Sequence, residues 1–286
     1  MNKTGLLLIL ILIGITAYSG CQIAGQTQTA VPANSPDFQV TFLDVGQADA
    51  TLIQCQDHNW LIDAGTNVGA DSLVKTLRGM GISRLEGVVG THPHEDHIGG
   101  LDAVINKFEI GQVFLPRVSS TTRTYEDVLN AIQRKGLTAA APAPGSTFKL
   151  GTADGEWLGP NSATYNELND YSVVMRLVYG SRSFLFTGDA GFIPEKEMLA
   201  ARYPLQSTVL KVSHHGSTDS TSNEFLKAVA PRYAVIFAGK NNDYGHPHAE
   251  TLAKLKAAGI EILRTDLNGT LVFSIEGTEL KVKTQK

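Results

Sequence analysis

Hydrophobic positions divide the chain into three stretches. Leu6 to Ile15 (LLLILILIGI) is almost wholly apolar, but shorter than the roughly 20 residues a membrane-spanning helix needs. Gln22 to Asp37 is polar, holds Gly, Pro and Ser, and has no periodicity, the composition of a flexible tether with a reach on the order of 20 Å. From Phe38 the pattern becomes ordered. Phe38 to Val45, Ala50 to Cys55 and Asn59 to Asp63 predict strands, with turns at Gly46 and Gly65. Leu73, Val74, Leu77 and Met80 stand at helical spacing and predict a helix over Ala70 to Met80, closed by Gly81. Leu85 to Gly90 reads as a buried strand, and Gly99-Gly100 followed by Leu101, Val104 and Ile105 as the opening of a helix. A short strand at Val113 to Leu115 and a helix over Tyr125 to Gln133 follow.

The second half holds strands at Thr147 to Leu150, Glu156 to Leu158, Ser172 to Tyr179, Ser183 to Phe186, Thr208 to Ser213 and Ala234 to Phe237. Helices are predicted from Pro194 to Ala201, from a Thr221-Ser222-Asn223-Glu224 capping box to Val229, and from Pro247 to Gly259. Leu271 to Ile275 and Glu279 to Val282 are the final strands. Strands interleaved with helices make the class α/β.

The chemistry is concentrated in one turn. THPHEDHIGG, Thr91 to Gly100, places His92, His94, Asp96 and His97 just after a strand. In an extended turn His92 and His94 point the same way, with Pro93 stiffening the backbone between them. Asp96 and His97 come after the bend and face a second point. Two pairs of N and O ligands suit two borderline divalent ions. The chain has 8 histidines, and all but His58 fall in three clusters: this turn, His214-His215, and His246 with His248.

Composition narrows the partners. With 24 basic and 28 acidic residues the net charge is −4, so a polyanion would have to be gripped locally or through metal. Cys21 and Cys55 are the 2 cysteines, and neither has metal-site spacing.

The motifs FLDVGQADA (Phe42 to Ala50), LIDAG (Leu61 to Gly65), THPHEDHIGG, NDYSVVMRL (Asn169 to Leu177), FTGDA (Phe186 to Ala190), LKVSHHGS (Leu210 to Ser217) and YGHPH (Tyr244 to His248) follow one another in this order. HPHEDH resembles the metal signature of the metallo-β-lactamase superfamily. DVGQ-A-D together with HHGS is similar to the ComEC-like branch. The resemblance implies a four-layer αββα sandwich over residues 38–286 and two divalent ions, zinc or manganese. It implies that His92, His94 and Asp189 serve one ion, that Asp96, His97 and one histidine of His214-His215 serve the other, and that Asp189 bridges them. Alternating strand geometry puts only one of His214 and His215 inward, without saying which. Asp96, His215, His246 and His248 are the candidate catalytic residues; His246 and His248 would be proton donors or phosphate contacts, or a solvated helix terminus. Asp63 is expected behind the metal turn, Asn169 in the branch's Asn-x-x-Ser, and Asp44 and Gln47 at the rim unless they only shape a turn. Lys211, Lys240, Lys281 and Lys283 are candidate backbone contacts or plain surface lysines, and the helix after Gly99 offers amides to a phosphate. No histidine lies between His97 and Asp189, where many members of the superfamily have a third ligand for the first ion.

Residues 1–21 are similar to a bacterial lipoprotein signal peptide: Lys3, the apolar run, then Tyr18-Ser19-Gly20-Cys21, with Cys21 as the lipidated residue and Tyr18 where a Leu is usual. An uncleaved anchor is the other reading. Both put the body outside the cytoplasm. The expected function is an exported or membrane-tethered metal-dependent hydrolase, a phosphodiesterase or nuclease on extracellular DNA, working beside a separate DNA-uptake channel protein. The alternatives are a small-phosphodiester esterase such as a phosphocholine esterase, a β-lactamase or lactonase, and a non-catalytic DNA-binding surface protein.

Overall fold

Alternating apolar side chains bury themselves on both faces of two sheets. The computed structural model describes residues 37–286. The expectations for the signal peptide, Cys21 and residues 22–36 lie outside these described residues.

In chain order the first elements are β1 (Phe38–Phe42), β2 (Thr51–Cys55), β3 (His58–Ile62), α1 (Ala70–Gly79), β4 (Arg84–Val89), α2 (Glu95–Ile98), α3 (Leu101–Lys107), β5 (Glu109–Phe114), α4 (Arg123–Arg134) and β6 (Ala139–Ala140). Then come β7 (Thr147–Leu150), β8 (Ala153–Gly159), β9 (Val174–Tyr179), β10 (Arg182–Phe186), α5 (Phe192–Ala200), β11 (Val209–Lys211), α6 (Asn223–Val229) and β12 (Tyr233–Ile236). The last are α7 (Ala249–Ala257), β13 (Glu261–Arg264), α8 (Thr265–Asn268), β14 (Leu271–Glu276) and β15 (Glu279–Thr284).

One sheet runs β15-β14-β1-β2-β3-β4-β5-β6, the other β13-β12-β11-β10-β9-β8-β7. The alternation of each strand sorts side chains between layers. In β2, Ile53 joins the core between the sheets, with Phe38, Phe42, Trp60, Phe184, Phe186 and Phe273. Its neighbour Leu52 joins Leu61, Leu77, Leu85 and Leu101 under α1, α3 and α4. Leu185, Leu210, Met198, Phe225 and Leu255 form the third core, under α5, α6 and α7. Three apolar seams separate four layers, so the fold is the αββα sandwich. Each fully buried Phe or Leu in them contributes roughly 1.5–3 kcal/mol.

Strand direction decides where the loops emerge. β1, β3, β4, β5 and β6 share one direction, because β1–β2 and β2–β3 are antiparallel and the rest parallel. In the other sheet β8, β10, β11 and β12 share one direction. The loops after these strands therefore line common rims.

Some local expectations change. β6, β13 and α8 were not foreseen. The helix expected to open after Gly99-Gly100 is α3, and a further short helix not foreseen, α2, precedes it and holds Asp96 and His97. The capping box does not form, because Thr221 has φ 54° and Ser222 is the N-cap, its Oγ accepting the Phe225 N–H at 3.2 Å. The predicted strand at Thr208 to Ser213 shortens to β11, because Ser213 to Gly216 folds into a tight turn.

Candidate metal centre

The site is assembled from the loops after β1, β3, β4, β10, β11 and β12. β4 delivers Thr91, His92 and His94 in extended backbone, and α2 turns Asp96 and His97 back over them. Small residues make that turn possible. A Cβ on Gly99 would lie 2.3 Å from the Asn67 nitrogen, and one on Gly100 2.4 Å from the Ala64 oxygen. Glu95 fixes the same contact by accepting the Asn67 N–H at 2.6 Å. After β10, Gly188 at φ +51° reverses the chain, and Asp189 follows with its N–H donated to Ser172 Oγ at 2.9 Å.

Asp189 Oδ2 is the hub. It lies 3.2 Å from His97 Nε2, 3.7 Å from His215 Nε2, 3.9 Å from His214 Nε2 and 4.0 Å from His92 Nε2. Ligand atoms of Asp96, His97, Asp189 and His215 fall within 4.8 Å of one another. His92 Nε2 and His94 Nδ1 are 3.0 Å apart on the other side of Asp189.

The outer nitrogens are held by protein. His97 Nδ1–H donates to Asp63 Oδ2 at 2.8 Å, and the Thr91 N–H and hydroxyl donate to the same carboxylate, each at 2.8 Å. Asp63 keeps φ 57° to do so. His215 Nδ1 faces the Phe237 carbonyl at 3.3 Å, and His92 Nδ1 faces Thr91 Oγ1 at 3.1 Å. With Nδ1 donating, each Nε2 keeps a lone pair aimed inward.

That arrangement tests the fit of a cation. His97 Nε2 is buried and has no hydrogen-bond partner, and its near neighbours are carboxylate oxygens and another imidazole nitrogen. An unpartnered buried donor set of this kind is costly unless a metal is bound. The residues fit divalent metal ions.

Electrostatics agree. Burial, and then the neighbouring His97, hold His92 well below the ordinary histidine range, so it stays a neutral donor. Burial would push Asp189 up, but His97, His215 and Lys211 hold it well below the usual carboxylate range. Burial opposes charge on His97, yet Asp189, Asp96, Asp63 and Asp49 together raise it well above the ordinary range, so without a metal its Nε2 carries a proton that a bound ion would displace.

Other expected residues fall out differently. His214 and His215 both face the cavity, because the backbone at both is left-handed (φ 47° and 51°) and is not the alternating strand assumed from the sequence. His214 Nδ1 pairs with the Asp219 carboxylate at 2.9 Å, and Asn169 Nδ2 lies 3.4 Å from His214 Nε2. Gln47 is at the rim: its Oε1 accepts the Gly239 N–H at 2.8 Å and its Nε2 lies 3.5 Å from His246 Nδ1. His246 lines the cavity, whereas His248 Nδ1 accepts the Thr218 N–H at 3.1 Å at the head of α7. Asp44 is elsewhere, its N–H on Thr270 Oγ1 and its carboxylate 3.2 Å from Lys286 Nζ, because the turn at Gly46 swings the chain between it and Gln47. In α2 the His97 and Ile98 amides donate to the His94 carbonyl, and the Gly100 amide before α3 donates to the Gly65 carbonyl.

The sequence reading misplaced one residue and passed over another. Lys211 is buried, not a surface lysine: its Nζ is 2.5 Å from Asp49 Oδ2, 3.4 Å from Asp189 Oδ1, and donates to the Gly188 carbonyl at 2.8 Å. Asp49, within the DVGQ-A-D motif, also stands 3.4 Å from His215 Nδ1. The signal was a lysine inside the apolar run Val209-Leu210-Lys211-Val212, which no surface strand would need.

Comparison with known proteins agrees with this geometry. The pattern of the Metallo-beta-lactamase superfamily matches residues 43–240. ComE operon protein 3 of Bacillus subtilis (strain 168) is 30% identical over 260 residues, which cover 85% of this chain and 34% of that protein. Competence protein ComA of Neisseria gonorrhoeae is 34% identical over 249 residues, covering 86% of this chain and 33% of that protein. The chain thus spans about a third of the length of the curated relatives it matches. Among solved structures, the metallo-beta-lactamase fold protein YhfI from Bacillus subtilis superposes with TM-score 0.55 at 13% identity, covering 82% of this chain and 98% of that one. Igni18, a metallo hydrolase from Ignicoccus hospitalis, gives TM-score 0.55 at 16% identity, covering 83% and 100%. These two likenesses concern the fold alone. Family pattern, relatives and donor set converge: this chain belongs to the metallo-β-lactamase superfamily of metal-dependent hydrolases, in its ComEC-like branch.

Proposed function

We propose that the chain is a phosphodiesterase that cuts single-stranded nucleic acid with two divalent ions, zinc or manganese. The carrying observation is the convergence of four imidazole nitrogens within 4.0 Å of Asp189 Oδ2, with His97 Nε2 unpartnered, at the floor of an open cavity of about 520 Å³. His92, His94 and Asp189 would hold one ion; Asp96, His97, Asp189 and His215 the other. Bound there, the ions would lower the pKa of a water and offset charge on a phosphodiester. Two imidazoles on the first ion, fewer than three, favour manganese beside zinc.

The chain's own residues supply the proton chemistry. Burial disfavours charge on His214, but the hydrogen bond to Asp219 raises it above the ordinary range, so it presents a proton from Nε2 into the cavity. Burial, followed by His215, His214 and His248, lowers His246 to about 4, so it is neutral at pH 7 and accepts a hydrogen bond at the mouth. His215 is thus the ligand of the pair and His214 the proton donor. His248, tied to Thr218, takes no part. Export through residues 1–21, attachment through Cys21 and action beside a separate uptake channel complete the proposal.

The test is a substrate panel. Purified protein with Mn²⁺ or Zn²⁺ is expected to cleave oligonucleotides and a chromogenic phosphodiester and to leave a chromogenic cephalosporin intact; turnover of the cephalosporin alone would overturn the assignment. His92→Ala and Asp189→Ala are expected to lose bound metal, by elemental analysis, together with activity.

A further inference from the structure

A second cavity opens on the same rim as the metal centre. It holds about 300 Å³ and is walled by Pro116, Pro142, Pro144, Pro160 and Tyr171, with Arg117 at its edge. Topology fixes its place. Pro116 and Arg117 follow β5, which adjoins β4 with its metal turn, and Pro142 and Pro144 follow β6, which adjoins β5. Pro160 follows β8, two strands from β10, which carries Asp189. At about 4.8 Å between strands, β5 and β6 run roughly 5 and 10 Å from β4. Tyr171 on its wall is two residues from Asn169, which lines the metal cavity, so one short turn, Leu168–Tyr171, divides the two spaces.

The walls are apolar and braced. The Tyr171 hydroxyl accepts the Tyr165 N–H at 2.9 Å. The Tyr165 hydroxyl takes the N–H of Asn161 at 3.0 Å and of Ser162 at 2.9 Å. Tyr203 donates to Asn161 Oδ1 at 3.0 Å. Such a network fixes the loop without a ligand, as a binding wall requires. Proline rings give flat apolar surface at little entropic cost. The Glu197 carboxylate near this loop is occupied by the Ser162 and Tyr165 hydroxyls. Arg117 is exposed and makes no ion pair among the described residues, so its fork is open to a phosphate. On the opposite side of the centre, the loop after β12 presents Tyr244, 70% exposed and stacked on His246 at 5.7 Å.

Resting on the nucleic-acid reading above, the geometry points to a nucleotide subsite in this groove. The nucleoside one or two units from the cleaved bond packs against the prolines and Tyr171, and its phosphate pairs with Arg117. With a net charge of −4, the protein needs such a local cationic contact to hold a polyanion at all. A flanking subsite beyond Asn169, with Tyr244 on the other flank, makes the enzyme prefer a strand that continues on both sides of the scissile bond.

The metal-loaded full chain is assayed with oligodeoxythymidylates of increasing length and with a chromogenic phosphodiester too small to reach the groove. Arg117→Ala is expected to raise KM for a ten-nucleotide strand about five- to tenfold, with kcat and the chromogenic reaction within about twofold, and to flatten the salt slope of log(1/KM) by about 0.7, one phosphate contact. Arg117→Lys restores most of the KM, and Ala143→Trp, which fills the groove from its wall between Pro142 and Pro144, raises KM in the same substrate-selective way. If the wild type cleaves oligonucleotides but neither Arg117→Ala nor Ala143→Trp changes KM or its salt slope, the subsite is wrong while the nuclease assignment stands. If the wild type leaves oligonucleotides intact, the nuclease assignment falls, and the subsite with it.

Discussion

Lys211 carries its charge inside the protein, and two carboxylates answer it. Burial opposes the ammonium, but Asp49 and Asp189 raise its pKa above the ordinary range. Truncating one member of a buried ion pair leaves the other uncompensated, a loss of about 3–5 kcal/mol. Lys211→Met is therefore expected to lower Tm by roughly 6–20 °C. The double variant Lys211→Met/Asp49→Leu should recover much of that, because an apolar pair replaces an ionic one. A double variant as unstable as the sum of the two single ones would show that the pair is not a unit. His97 makes a second prediction. In the metal-free protein its raised pKa means that a proton on the ring stabilises the fold below about pH 6.5, and that this contribution is lost as pH rises through the folded value. A metal ion displaces that proton. The Tm gap between metal-loaded and chelated protein should thus widen from pH 6 to pH 9, and a constant gap would contradict the network around His97.

Helix α2 is short, yet the centre depends on its seat. Gly99 has ordinary helical dihedrals, so alanine would be expected to favour a helix there. Its missing Cβ decides otherwise, since that atom would meet backbone of Asn67, Glu95 and Thr66 within 2.5 Å. Gly99→Ala should cost several kcal/mol and displace Asp96 and His97, so that bound metal falls along with Tm; a variant with full metal content would show that the seat yields freely. The same element marks how far sequence carries. Long periodic segments such as α1 and β2 are legible because a face repeats. HPHEDH has no repeat, and four helical residues leave no periodic trace. HHGS reads as a strand end by its apolar approach, but left-handed backbone at two consecutive histidines follows from the packing around Gly216, whose Cβ would sit 2.6 Å from Pro247. β6 is only two residues, and β13 four, beneath what alternation detects.

At the scale of the whole molecule, the sequence yields interleaved strands and helices, but not which strands are neighbours. β14 returns from the far end of the chain to pair with β1, Phe38 opposite Ile275, and that contact has no local signature. The candidate ligands were legible because histidines and aspartates crowd the ends of strands; the places of Asp49 and Lys211 were not, because they arise only when two sheets meet. Charge is the remaining global property. A chain with net charge −4 repels a polyanion, so under the proposed function affinity comes from the ions and a few local contacts. Chelation should then weaken oligonucleotide binding at least about tenfold, and the metal-loaded protein should show a shallow salt slope of about one or two phosphates, roughly −0.7 to −1.4 in log K against log salt. Fluorescence anisotropy at several salt concentrations, with and without chelator, measures both. Undiminished binding without metal, on a steep slope, would mean an extended cationic surface and a receptor in place of the phosphodiesterase. The clustering of Asp96, His97, Asp189 and His215, with ligand atoms within 4.8 Å of one another, argues for the enzyme, because a receptor gains nothing from so concentrated a buried donor set.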